Sequence, residues 1–456
     1  MKYDEFIASK KHVTSDYGIT PSIDIDGAFD YQLFAAEKTI RRGRYAGFID
    51  TGLGKTLIEL IVATCYARHF NKPVLIITPL AVAFQFIKEA EKFGIDDIEY
   101  SRDGKFTKKL VVCNYERLDK FDSADFVAVV LDESSILKNF KGAIKNQITS
   151  FLKGIKYRFL FTATPSPNDF IELGTSSEAL GYMGYMDMLG RFFTNNEDSI
   201  SPNKIGVKWV LKGHAEKSFF EWVSSWSLSM RKPSDLGFDD SRHILPELTT
   251  NEHKVFNEKN LCIDGQHQLF AMPSTRLTEV REEQKATISK RCEAAFNLTN
   301  AHDSSVYWCN LNDESSLLAS IDSEAVELRG SMKLEKKEEI LLAFANSEIK
   351  RLITKAKITG FGLNWQHCAH TVYFPTFSYE QYYQAIRRFW RFGQKRPVTC
   401  DMVYSDGQEK VVQSLQAKAE KANQLFSKLN SALNTTFEDT KKEFIEDIQT
   451  PAFLKG

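Results

Sequence analysis

The sequence contains no apolar run approaching the length of a membrane span, so no membrane-crossing helix and no membrane partner are expected. Its seven cysteines (65, 113, 262, 292, 309, 368 and 400) are odd in number, scattered and never spaced C-x-x-C. That pattern offers neither a disulfide framework nor a zinc site. Neither sign of charge is in excess: 59 Lys and Arg against 60 Asp and Glu give a net charge of −1, so any basic track for a polyanion must be local. The opening MKYDEFIASKK mixes charges instead of forming an apolar signal segment, and a cytoplasmic protein is expected. Short internal repeats and low-complexity segments are also lacking. What is present is a globular composition, 43% apolar and 26% charged. At 456 residues it is too long for one ordinary core.

From 31 to 165, short apolar runs alternate with helical patterns, as a parallel sheet covered by helices reads in sequence. The predicted strands are 45–50, 74–78, 110–114, 127–131 and 158–162, each nearly continuously apolar, as strands buried on both faces are. The alternation returns over 305–405 with 306–310, 325–328, 351–354, 371–374 and 398–404. The expectation is therefore an α/β protein of two parallel-sheet lobes. An N-terminal extension (1–30), a mostly helical insertion or bridge (166–304) and a helical C-terminal tail (406–456) complete the division. In the insertion, Phe219, Trp222 and Trp226 fall on one helical face, which fits burial at least as well as base stacking.

The run FIDTGLGKTLIEL, 48–60, sets a Gly-rich turn between a strand and a helix, the context in which a P-loop pattern has physical meaning. Gly52 and Gly54 can adopt backbone conformations closed to other residues, turning successive N–H groups of Thr51–Thr56, through Leu53, towards phosphate oxygens. Lys55 would reach the terminal phosphates and Thr56 would ligate magnesium. Ile49 stands where the strict pattern has its first glycine. Further on, VAVVLDESS delivers Asp132 and Glu133 to the carboxyl end of a buried strand, where ligands collect in open α/β folds. Asp132 is assigned to the metal and Glu133 to the attacking water.

These sites, with FTATPSPND (161–169), GFGLNW (360–365) and QAIRRFWRFGQKRPV (384–398), make the chain resemble superfamily 2 helicases, and within them the Swi/Snf branch of DNA translocases. LDESSILKNF is similar to that branch's second motif, although Ser134 and Ser135 stand where Ala and His are usual. The resemblance implies two RecA-like lobes, ATP with Mg2+ between them, and nucleic acid across both. It implies that Arg388 and Arg391 are arginine fingers, placed on one face if their three-residue spacing falls in a helix. It implies further that Gln32 hydrogen-bonds adenine, that Gly362 belongs to the nucleotide site, and that Thr78, Pro79, Lys138, Asn139, Asn364 and Trp365 line the nucleic-acid track.

Duplex DNA is the expected track, with low sequence specificity because phosphate contacts carry no base information. A strand-separating helicase on single-stranded DNA or RNA is the alternative. A nucleic-acid clamp with a decayed ATPase is a third reading, against which the retained Lys55, Asp132, Glu133, Arg388 and Arg391 weigh. Target choice would come from 166–304 or from a separate targeting protein, and so compact a motor suits a prokaryotic or viral host cell.

Overall fold

In the computed structural model, residues 17–79, 82–196, 209–257, 262–263, 266–267, 277–358 and 364–447 are described. The chain forms two units, one of 1–79, 86–239 and 422–456, the other of 80–85 and 240–421.

The first unit is built on seven parallel strands: β1 Arg44–Ile49, β2 Val74–Thr78, β3 Ile98–Tyr100, β4 Leu110–Asn114, β5 Ala128–Asp132, β6 Tyr157–Thr162 and β9 Ser227–Met230, in the order β3-β4-β2-β5-β6-β1-β9. Strands β2, β4, β5 and β6 are buried along their whole length, which explains their uninterrupted apolar sequences. Between β1 and β2 runs the helix Lys55–Phe70, buried continuously from Leu57 to Ala67. The helix Glu216–Trp226 buries Phe219, Phe220, Val223 and Trp226, and Trp226 meets Phe48 of β1 edge-on at 6.0 Å. The tryptophan face of 219–226 is therefore core. A small antiparallel pair, β7 Phe193–Asn195 with β8 Trp209–Leu211, lies in the same unit.

The second unit carries six parallel strands: β10 Leu248–Val255, β13 Ser305–Trp308, β14 Ala325–Glu327, β15 Arg351–Thr354, β16 His370–Tyr373 and β17 Val398–Ser405, ordered β10-β17-β16-β13-β15-β14. A two-residue pair, β11 Cys262–Ile263 with β12 Gln266–His267, is antiparallel. Two parallel-sheet α/β units are thus present, as the alternation of apolar runs indicated.

The segment 166–304 does not stand apart as a helical bridge. Its first part supplies β9, the edge strand of the first sheet, and its second supplies β10, the edge strand of the second. Both lack a long apolar run: β9 is SLSM, whose Ser227 accepts from Tyr45 Oη at 2.9 Å, and β10 is LTTNEHKV, largely exposed. The expected tail is one helix, Glu409–Asp447, which contributes 409–421 to the second unit and the rest to the first, where Leu425, Phe426 and Leu429 join the core. Cys65, Cys113, Cys292, Cys309, Cys368 and Cys400 are free and buried, and among the described residues no helix is long and apolar enough to cross a membrane.

Candidate nucleotide site and nucleic-acid motifs

In the sheet order β5-β6-β1, three strand ends lie side by side, so residues far apart in sequence meet at one edge. Gly52 and Gly54 close the turn after β1 at φ 88° and 74°, in the left-handed region that favours glycine. At Gly54 a side chain is doubly barred, because a Cβ would come within 2.0 Å of Gln32 Nε2. The helix that follows begins at Lys55 with no side-chain cap, leaving its amino end available to an anion.

From the first turn of that helix, the Lys55 ammonium reaches 3.1 Å from Asp132 Oδ1 and 3.0 Å from Glu133 Oε1. Burial alone would lower the Lys55 pKa, but the charges of Asp132, Glu133 and Glu59 outweigh it and hold the ammonium well above its usual range. Asp132 ends β5, with its main-chain oxygen taking the Tyr115 hydroxyl at 2.5 Å and its Oδ2 lying 3.2 Å from Thr78 Oγ1. Glu133 follows at φ 53°, one of three non-glycine residues in the left-handed region among those described. A strained backbone at a carboxylate is a common mark of a functional position. The Thr162 hydroxyl, at the end of β6, donates to Glu133 Oε2 at 3.3 Å.

Three participants escaped the sequence reading. Glu59 lies one helical turn beyond Lys55, fully buried, with its carboxyl group against that of Asp132. Burial first, and then the charge of Asp132, raise its pKa well above the usual carboxylate value. Its i+4 spacing from Lys55 and its place in an otherwise apolar helix were the available signals. Thr162 lies in the quoted run FTATPSPND but was given no role there, and Tyr115 carried no signal, since what matters is the strand ends they occupy.

The remaining candidates fall in several environments. Gln32 is buried, its Oε1 accepting from Phe29 N at 2.9 Å and its Nε2 donating to Leu53 O at 3.0 Å, so it braces the glycine turn. Thr51 is tied to Asp50, whose Oδ1 accepts its N–H at 2.6 Å. Thr56 and Pro79 are partly exposed, as is Lys138, while Asn139 and Asn364 are exposed. Two nucleic-acid candidates are corrected by burial: Thr78 and Trp365 are both fully buried. Trp365 packs between Trp308, Phe344 and Phe389 at centroid distances of 5.7, 5.2 and 5.8 Å, so it is core of the second unit.

The arginine pair also differs from expectation. The helix Tyr379–Ile386 ends before Arg388, and the chain turns through Arg391 N to Phe389 O and a left-handed Gly393. No shared helical face orients Arg388 and Arg391. Arg388 is placed by its carbonyl, which accepts from Trp365 N at 3.0 Å, and Arg387 lies over the Trp390 ring at 4.5 Å. Gly362 falls outside the described residues.

The second unit holds another polar cluster. His370 bonds Ser305 Oγ through Nδ1 at 2.7 Å and Asp401 Oδ2 through Nε2 at 2.9 Å. Asp401 Oδ1 is held by Asn251 Nδ2 and His253 Nε2, each at 2.9 Å. His302, His370 and Asp401 are close enough for metal binding to be considered. However, the two imidazoles stack at 3.6 Å and 6°, so no single point lies in the plane of both rings, and both His370 nitrogens are already used. The serine-histidine-aspartate order is no nucleophile either, since Ser305 is fully buried.

Residues 289–393 match the helicase conserved C-terminal domain. The chain is 28% identical over 150 residues to the SWI/SNF-related matrix-associated actin-dependent regulator of chromatin subfamily A-like protein 1 of Xenopus tropicalis, covering 31% of this chain and 16% of that protein. The Bos taurus protein of the same name is 29% identical over 146 residues, 30% of this chain and 15% of that one. The matched stretch thus spans about a sixth of the length of these relatives. The Sulfolobus solfataricus SWI2/SNF2 ATPase core in complex with dsDNA aligns over 93% of this chain and 97% of its own, at 18% identity and a TM-score of 0.42. The chain is accordingly similar to the helicase conserved C-terminal domain over 289–393 and to these SWI/SNF-related proteins over about a third of its length, the relatives that its motifs resemble.

Proposed function

We propose that the chain is a nucleic-acid-dependent ATPase that uses hydrolysis to translocate along double-stranded DNA. The observation that carries this reading is the Lys55 ammonium held between Asp132 and Glu133 at adjoining strand ends, beside an uncapped helix amino end. Those residues fit a magnesium nucleotide: one cation for phosphate oxygens, N–H groups around two left-handed glycines, and paired carboxylates. Bound Mg2+ and ATP would supply the phosphoanhydride to be cleaved and the charge that steadies it. Lys55 and the 51–56 backbone would bind phosphate, Thr56 and Asp132 would hold the metal, and Glu133 would orient and deprotonate the attacking water. Arg388 and Arg391, from the second unit, are proposed as the cationic residues required for full turnover. Pro79, Lys138, Asn139 and Asn364 are the proposed nucleic-acid contacts.

The preference for duplex DNA rests on the Swi/Snf-like motifs and on relatives named as chromatin regulators. We place the protein in the cytoplasm of a prokaryotic or virus-infected cell, with targeting left to a partner. The test is the steady-state ATPase rate without nucleic acid and with duplex DNA, single-stranded DNA or RNA, at one low salt concentration, because phosphate contacts weaken steeply with salt. Strongest stimulation by duplex DNA is expected. Preference for single strands or RNA would move the assignment to an unwinding helicase, and no hydrolysis under any condition would reduce the protein to a binding clamp.

A further inference from the structure

Thr78 has a role that its burial disguises. It ends β2, beside β5 in the sheet, where Ile77 pairs with Leu131 and the two strands deliver Thr78 and Asp132 to the same edge. Its side chain is fully buried, so it touches no polyanion, and its hydroxyl points to Asp132 Oδ2 at 3.2 Å. The other acceptor nearby, Pro79 O, is at 3.5 Å, a much weaker partner. The two carboxylate oxygens are thereby divided, Oδ1 to Lys55 and Oδ2 to Thr78, while the main-chain oxygen takes Tyr115. The opposite side of Thr78 is held by Asn114 Nδ2, which donates to the Thr78 carbonyl at 3.5 Å and is itself backed by a hydrogen bond between Asn114 and the Tyr100 hydroxyl.

We propose that Thr78 is a positioning residue for Asp132, fixing the rotation of that carboxylate and tying it to the strand end that leads into Pro79. The proposal rests on the magnesium-nucleotide reading of this site. The physical need is plain, because the last torsion of an aspartate is broad and roughly two-fold, so polar partners decide which oxygen faces the metal. When phosphate draws Lys55 away from the carboxylates, the Thr78 hydroxyl still restrains the Oδ2 end. A displacement of the Pro79 segment by nucleic acid would then reach Asp132 through this one hydrogen bond.

Thr78→Val keeps the shape and removes the donor, whereas Thr78→Ser keeps the donor and removes a methyl group. Mn2+ serves as the probe, its free form followed by electron paramagnetic resonance in the presence of a non-hydrolysable ATP analogue. The Mg2+ dependence of steady-state hydrolysis is measured alongside, and thermal melting monitors the fold. Thr78→Val is expected to weaken Mn2+ binding and raise the half-saturating Mg2+ on the order of tenfold, as loss of a hydrogen bond to a charged group implies, with Thr78→Ser within about twofold of wild type. Equal metal affinity in wild type and Thr78→Val overturns the proposal, and so does equal impairment of both variants, which would mark a packing effect. Failure of the wild-type protein to retain Mn2+ with nucleotide has a different signature: it removes the nucleotide-site reading itself, and this inference with it.

Discussion

The protein has two buried polar clusters, one in each unit, and they differ in how well they are satisfied. In the second unit, Asp401 receives three hydrogen bonds and His370 uses both ring nitrogens, on unstrained strands. Ser305 and His370 are the first residues of β13 and β16, at the edge of the sheet away from where ligands collect in such folds. In the first unit, Glu59 is buried against the like charge of Asp132, Glu133 has a left-handed backbone, and Lys55, Asp132 and Glu133 crowd together at the carboxyl edge. Both clusters look like chemistry when reduced to residue types. Only the first unit's cluster leaves polar capacity and strain for a ligand to resolve, and that favours it as the candidate site.

The contrast is broken most severely by Lys55→Ala and Glu133→Gln. Each is expected to cost on the order of 10²–10⁴ in turnover with the melting temperature little changed, read by steady-state ATPase assay and circular dichroism. Either variant retaining near-normal turnover would move the active site elsewhere. Arg388→Ala is expected to cost up to the order of 10³ in turnover if Arg388 acts as an arginine finger, without loss of the fold.

Next in size are changes at Trp365 and Asp401 in the second unit, which should act on stability alone. Trp365→Ala should destabilise by about 3–5 kcal/mol in urea denaturation, as core tryptophans do. Weakened DNA binding with unchanged stability would instead restore Trp365 to the nucleic-acid track. Asp401 gives a pH test. Burial would raise its pKa, but hydrogen bonds from His370, Asn251 and His253 prevail and hold it well below the carboxylate range. A depressed acid contributes stability present above its unfolded pKa, about 3.9, and lost as pH falls through the lower folded value. Wild type should therefore lose more stability than Asp401→Asn on acidification below about pH 4, measured by denaturation at pH 5 and pH 3. Equal losses would remove the network from the stability of this unit.

The smallest effect sharpens the comparison inside the first unit. Thr162→Val removes one hydroxyl from Glu133, and a decrease of about fivefold in turnover is expected from a hydrogen bond worth about 1 kcal/mol. No change would mean that the left-handed backbone alone orients Glu133.

Much of this was legible in the residues. Strands such as 74–78 and 110–114 were visible because burial on both faces demands continuous apolar sequence. The glycine turn was visible because few residues tolerate its backbone, and Asp132–Glu133 because two acids directly after an apolar run are conspicuous. The edge strands β9 and β10 were not visible, since half-exposed or serine-lined strands need no apolar run. Thr78 and Trp365 were misjudged for a related reason: position in a motif does not reveal which way a side chain faces. The arginine spacing misled because the helix carrying it stops at Ile386, two residues short of Arg388.

What the sequence determined by itself was the outline of this chain: two parallel-sheet units, a glycine-rich strand-to-helix turn, and a pair of acids, each recognisable because it is encoded locally. The tertiary structure decided the rest. Strand order alone brings Lys55 to Asp132 and Glu133, sets Thr78 and Thr162 on those carboxylates, and buries Glu59 beneath them. Such contacts depend on which strands are neighbours and which way each side chain points, and neither property is carried by residues that lie close together along the chain.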